Sequence, residues 1–239
     1  MISNLFYIDF IHALPIRLIP AWQKRDIMLR YSREIQDLIP ATSYEGIQFM
    51  TLLIIGLVLF LGSHSVSIIN VAWRDRMVAR LGFLPWQGLY SLVAIAGVVL
   101  IIQGYDLVRQ DPIILYQPPD WLRHISLLLL VFVFPLLFAA YLPGRIQTIT
   151  KHPMLVATKI WALAHMLANG SVADIILFGS FLAWAVVDRI SLKRRTPLPV
   201  PGAPSSRFND ALAIILGLGL YLTFIFWLHG WLFGVSPVR

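Results

Sequence analysis

Apolar residues run along this chain in long blocks separated by short polar connections. The block from Ile47 to Ala72, IQFMTLLIIGLVLFLGSHSVSIINVA, exceeds the roughly 20 residues a helix needs to cross a bilayer. Further blocks cover Phe83 to Tyr105, Leu122 to Leu142, Val172 to Val187 and Ala211 to Val235. Between the third and the last two lies Met154 to Leu167, an apolar stretch too short for a comfortable span, which leads through Asn169 and Gly170 into the next block. The pattern predicts an all-α polytopic membrane bundle of about six transmembrane helices, the fourth and fifth forming a short helical hairpin. Pro135 inside the third block predicts a kink. Ser171 and Asp174 have the N-cap and N3 spacing of a capping box. Trp86, Tyr90 and Tyr105, near the ends of the second block, are expected as interface anchors.

Composition sharpens this picture. Hydrophobic residues make up 58% of the 239 and charged ones 13%, so blocks of this length would be insoluble as surface helices. The net charge of +7 would suit nucleic acid, but the basic residues stand in the connections, where membrane proteins keep them, and no nucleic-acid footprint follows. The connections after the first, third and fifth spans carry Arg74, Arg76 and Arg80, then Arg145 and Lys151, then Arg189, Lys193, Arg194, Arg195 and Arg207. The opposite side carries Arg109, Arg123 and Arg239, so these connections are expected to be cytoplasmic, with the arginines and lysines of the tail before Ile47 as a counterweight. That tail, residues 1–46, mixes Pro15 and Pro20 with the amphipathic stretch KRDIMLRYSREIQDL, and is expected to be interfacial or a mis-assigned start. The transmembrane domain is then 47–239. Zero cysteines exclude disulfides, thiolate zinc sites and cysteine-bound clusters, leaving His, Asp, Glu and Met as side-chain metal ligands.

Polar chemistry concentrates in LPGRIQTITKHPMLVATKIWALAHMLANGS, Leu142 to Ser171. An ionisable residue at membrane depth is costly and turns to the bundle interior. His165 within this stretch and His64 in the small-residue half of the first span, GSHS, are the interior histidines. They are candidate metal ligands, or hydrogen-bonded residues holding helices together. His152, beside Lys151 and Pro153, is placed at a helix start. It lies 13 residues from His165, roughly 140° away around an ideal helix, so one straight helix does not aim both rings at one ion. His124 and His229, near span ends, are the next pair.

The GSHS span and the later KHPMLVATKIWALAHMLANGS followed by DRISLKRR together resemble the NnrU family of bacterial membrane proteins, from about Met50 to Arg239. The family takes its name from a requirement for nitrite and nitric oxide reductase expression in denitrifying bacteria. It is similar to plant zeta-carotene isomerase, a haem b membrane enzyme. The resemblance implies a multi-pass protein of the bacterial inner membrane that supports nitrogen-oxide respiration. It also implies haem b ligated by His64 and His165; Arg145, Lys151, Arg74 or Arg76 would then pair with its propionates near the cytoplasmic face, and His152 at the helix start is a further cofactor-binding candidate. Ala162 stands where the isomerase has a cysteine, so thiolate exchange is closed to this chain. The KHP segment also resembles the RHP of membrane methyltransferases, whose acidic groups would fall on Asp174 and Asp188. A membrane isomerase, a methyltransferase and a cofactor-free bundle are therefore the alternatives.

Overall fold

The computed structural model describes residues 20, 25–30, 41–195 and 202–238. The chain divides into two compact units, 1–48 and 49–239. Of the first, 25–30 and 41–48 are helical, and most of the predicted tail lies outside the described residues.

The second unit is helical throughout its described part, apart from turns and one isolated bridge between Ile114 and Ser171. Its helices are α1 (Ala41–Ile69, of which 49–69 belong to this unit), α2 (Val71–Leu81), α3 (Phe83–Val108), α4 (Asp120–Leu130), α5 (Val133–Ala139), α6 (Arg145–Thr150), α7 (Pro153–Ala168), α8 (Val172–Ser191), α9 (Asn209–Thr223) and α10 (His229–Phe233). A π-helical turn, Phe224–Leu228, joins the last two. Among the described residues four segments are long and apolar enough to span: Gln48–Ile69, Phe83–Val108, Asp120–Ala139 and Asn209–Phe233; α7 is a shorter apolar helix. The exposed surface is rich in side chains such as Val58, Leu92, Leu128 and Ile215, an apolar face that water would not tolerate and lipid accepts. The chain is a multi-pass membrane protein.

Local sequence explains the main breaks. Pro135 lacks an N–H and its ring crowds the preceding turn, and the third span duly divides between Leu130 and Val133. Gly217 of α9 lies so close to Pro135 that a side chain there would overlap the proline ring, so the last span nests against the kink. Pro153 at the first turn of α7, behind the N-cap His152, starts that helix. Ser171 and Asp174 form the predicted capping box. One expectation is corrected: residues 71–81, read as a basic connection, fold as the helix α2, because the Asn70 side chain accepts from the Trp73 amide and caps a new start.

α1 and α3 approach through glycine. A Cβ on Gly56 would lie 2.6 Å from the Ile101 amide nitrogen, and one on Gly97 2.7 Å from that of Phe60. Leu53, Leu57, Ile101, Ala162, Leu177 and Phe178 form the main core, joining α1 and α3 to α7 and α8. A second cluster, Val133, Leu136 and Ala157, joins α5 to α7.

Candidate functional site

α8 serves as the ruler on which the interior polar groups can be placed. At its start Asp174 is 6% exposed and accepts from the Tyr105 hydroxyl at 2.5 Å, the Ser171 hydroxyl at 2.6 Å and the Ser171 amide at 2.9 Å. A carboxylate in the first turn of a helix also meets the positive end of the helix dipole. Tyr105, expected as an interface anchor, instead turns inward as a donor across the bundle. Arg109 lies over the Tyr105 ring, 5.9 Å from its centre, and donates to the Phe233 carbonyl at 3.0 Å. The 112–118 segment closes over this corner. Leu115 and Tyr116 amides bond the Gly170 carbonyl, and the Tyr116 hydroxyl donates to the carbonyls of Met166 and Asn169. Burial, then the Asp174 charge, raise the Tyr116 pKa above the ordinary phenol value. The recess left between these groups has a volume of about 330 Å³.

One turn further along α8, Phe178 stacks on His165 with ring centres 4.6 Å apart. The His165 ring donates Nδ1–H to the Trp161 carbonyl at 2.8 Å. That bond fixes the tautomer and leaves Nε2 with its lone pair. Trp184, six residues beyond Phe178, stands edge-on to His64 at 6.1 Å. His64 is held like His165, its Nδ1–H donating to the Phe60 carbonyl at 2.7 Å, and its ring also meets Phe60 at 4.3 Å and Tyr90 at 5.2 Å. Tyr90 is therefore another expected interface anchor found in the interior. The Trp184 Nε1 is buried with no hydrogen-bond partner. A buried donor without a partner costs roughly 1–3 kcal/mol, so it marks a place where an acceptor is wanted.

The two interior histidines thus occupy different levels. Six residues of α8 correspond to about 9 Å of rise between the Phe178 and Trp184 positions. A chain of rings joins them: His165 to Trp161 at 5.2 Å, Trp161 to Phe181 at 5.4 Å, Phe181 to Phe60 at 5.6 Å and Phe60 to His64. The rings of Phe60, Phe181 and Trp161 thus link the two histidines. Each imidazole leaves Nε2, the nitrogen that a metal would take, uncommitted, because its Nδ1–H is bonded to a carbonyl.

His152, Lys151 and Arg145 lie at the His64 end of the bundle. Lys151 takes a positive φ of 62° at the corner between α6 and α7, and its amide donates to the Gln147 carbonyl at 2.8 Å. The Arg145 amide donates to Asp210 at 2.9 Å, an exchange that caps α6 from the start of α9. His152 has its pKa lowered, first by burial and then by the neighbouring charge of Arg189, with Asp188 opposing. Asp188 itself is 9% exposed and takes an ion pair from Arg195 at 2.5 Å. Of the remaining pair, His124 is exposed, and His229 donates Nδ1–H to the Val235 carbonyl at 2.6 Å.

Sequence reasoning did not find Trp184 or the Tyr105–Asp174 bond. Trp184 stands three residues from the end of the block Val172 to Val187, where a tryptophan reads as an interface anchor, so the sequence carried no signal for the first. Nothing in the spacing of Tyr105 and Asp174, 69 residues apart, announced the second.

Among the described residues no cluster of three or more His, Cys, Asp or Glu side chains suited to a metal ion occurs. No curated protein and no solved structure matches the chain. The NnrU protein family model matches residues 52–237, most of the chain, and the protein belongs to the NnrU family.

Proposed function

We propose that this chain supports nitrogen-oxide respiration from the bacterial inner membrane, promoting the expression of nitrite and nitric oxide reductase, and that its interior histidines hold haem b. The observation that carries the cofactor reading is the unpartnered Trp184 Nε1–H beside His64, whose own Nδ1–H is already committed. His64 would supply Nε2 to iron, and Trp184 a hydrogen bond to an acceptor on the bound group. Basic side chains at the same end, among them Arg145 and Lys151, would balance propionate charge. His165 is a second one-histidine position, held in the same tautomer. A haem supplies one-electron exchange and a site for nitric oxide. The protein's share is to fix the imidazole tautomer and exclude water with Phe60, Tyr90 and Phe181.

The test is an absorbance spectrum of the full chain, expressed with ample haem and purified in mild detergent. A Soret band is expected, lost or much reduced in His64→Ala, reduced in His165→Ala, and retained in His152→Ala with a shift at most. A wild-type protein without a band would refute the cofactor, and a band surviving both interior substitutions would refute the ligands. The respiratory role is read separately, by whether the chain restores nitrite reduction to a denitrifying host that lacks its NnrU protein.

A further inference from the structure

The end of the bundle that carries the basic connections has more positive charge than its own carboxylates can neutralise. Among the described residues its acidic side chains are Asp75, Asp188 and Asp210, and all three are engaged. Asp75 pairs with Arg74 at 3.2 Å, Asp188 pairs with Arg195, and Asp210 caps α6. Arg76 and Arg80 of α2 are exposed, and neither has an ion pair among the described residues. At about 100° per residue, Arg76, Arg80 and Trp73 fall within an arc of roughly 60° on one face. Trp73, 41% exposed, meets Trp86 of α3 edge-on at 5.7 Å. Leu81, Phe83 and Leu84 continue an exposed apolar brink beside them. The opposite face of α2, with Val71, Arg74 and Val78, is the more covered one.

An amphipathic helix directly after a span, with tryptophan and arginine on one outward face, lies in the headgroup layer. Its arginines then stand where lipid phosphates are, while Trp73 sits at the boundary between headgroups and acyl chains. We propose that α2 is a binding site for an anionic phospholipid of the adjoining leaflet, whose phosphate is held by Arg76 and Arg80 and whose glycerol and upper chains lie against Trp73 and Leu81. The surplus of charge, with every nearby carboxylate engaged, selects an anionic over a zwitterionic headgroup.

The full chain reconstituted in phosphatidylcholine bilayers, with trace spin-labelled phosphatidylglycerol or phosphatidylcholine, gives the relative association of each lipid with the protein. We expect a preference for phosphatidylglycerol that falls by up to about fivefold for each arginine replaced in Arg76→Gln and Arg80→Gln. It should weaken in high salt and persist in millimolar inorganic phosphate. Lys193→Gln with Arg194→Gln removes the same charge from the same end, away from α2, and should leave most of the preference in place. Equal loss in that control would mean diffuse surface charge and overturn the site. So would an unchanged preference in the α2 double variant, or none in the wild type. Displacement by inorganic phosphate would mean a free-anion site and would also overturn the lipid assignment. Both α2 arginines are exposed, so folding is not at stake, and near-ultraviolet circular dichroism verifies it.

Discussion

Tyr105 and Asp174, 69 residues apart in sequence, are joined by a hydrogen bond of 2.5 Å that ties α3 to the first turn of α8. The carboxylate is buried and its remaining bonds come from Ser171 in the same turn, so the phenol is its only donor from another helix among the described residues. Removing it leaves a buried charge under-bonded. Tyr105→Phe should therefore destabilise the detergent-solubilised protein by about 1–3 kcal/mol. Ser171→Ala, which removes the hydroxyl's bond to the Asp174 carboxylate and its acceptance from the Asp174 amide, should cost about 1–2 kcal/mol. Thermal unfolding followed by circular dichroism measures both, and a Tyr105→Phe variant as stable as the wild type would mean that the bond between helices adds nothing.

Trp184→Phe separates the cofactor-bound protein from a cofactor-free bundle. In the absence of a bound group the substitution deletes an unpartnered buried donor, so stability should rise or stay unchanged. With haem bound, the same change should weaken retention, measured as faster loss to apomyoglobin. Indifference in both measurements would show that the indole nitrogen has no partner to lose.

The glycines between α1 and α3 differ in what surrounds them. Gly97→Ala would force its new carbon against the Phe60 backbone, and should cost roughly 1–3 kcal/mol of stability as the two helices part. Gly62 and Gly88 have open space at the same position, so Gly62→Ala and Gly88→Ala should be near neutral. Comparing melting temperatures of the three variants checks the assignment of the close contact.

His152 gives a pH dependence with a definite sign. Its folded-state pKa lies below the usual imidazole value of about 6.5, through burial and then Arg189. The unfolded chain therefore takes up a proton first as pH falls. Its contribution disfavours the folded state increasingly from about pH 6.5 down to the lowered folded value, and is absent above that window. His152→Gln should flatten the fall of melting temperature between about pH 7 and 5. An unaltered profile would assign that fall to another group.

Much of the fold is legible residue by residue. Pro135 announces the kink, Pro153 the start of α7, and Ser171 with Asp174 the cap of α8, because each acts through bonds within four residues of itself. α2 was missed for the same local reason in reverse. Its pattern of alternating arginines reads as a connection until the Asn70 cap is seen in place.

By itself the sequence determined the apolar spans, their order, their common basic end and the interior position of His64 and His165, since these depend on hydrophobic length and on charge in short connections. Only the tertiary structure decided what those groups meet. Tyr90 and Tyr105 sit near the span ends, where lipid headgroups would attract them, yet His64 and Asp174 hold them inside. The two histidines share a tautomer and a ring environment but stand on levels of α8 six residues apart, because side-chain packing in the core that α1, α3, α7 and α8 share sets their register, which hydropathy does not encode.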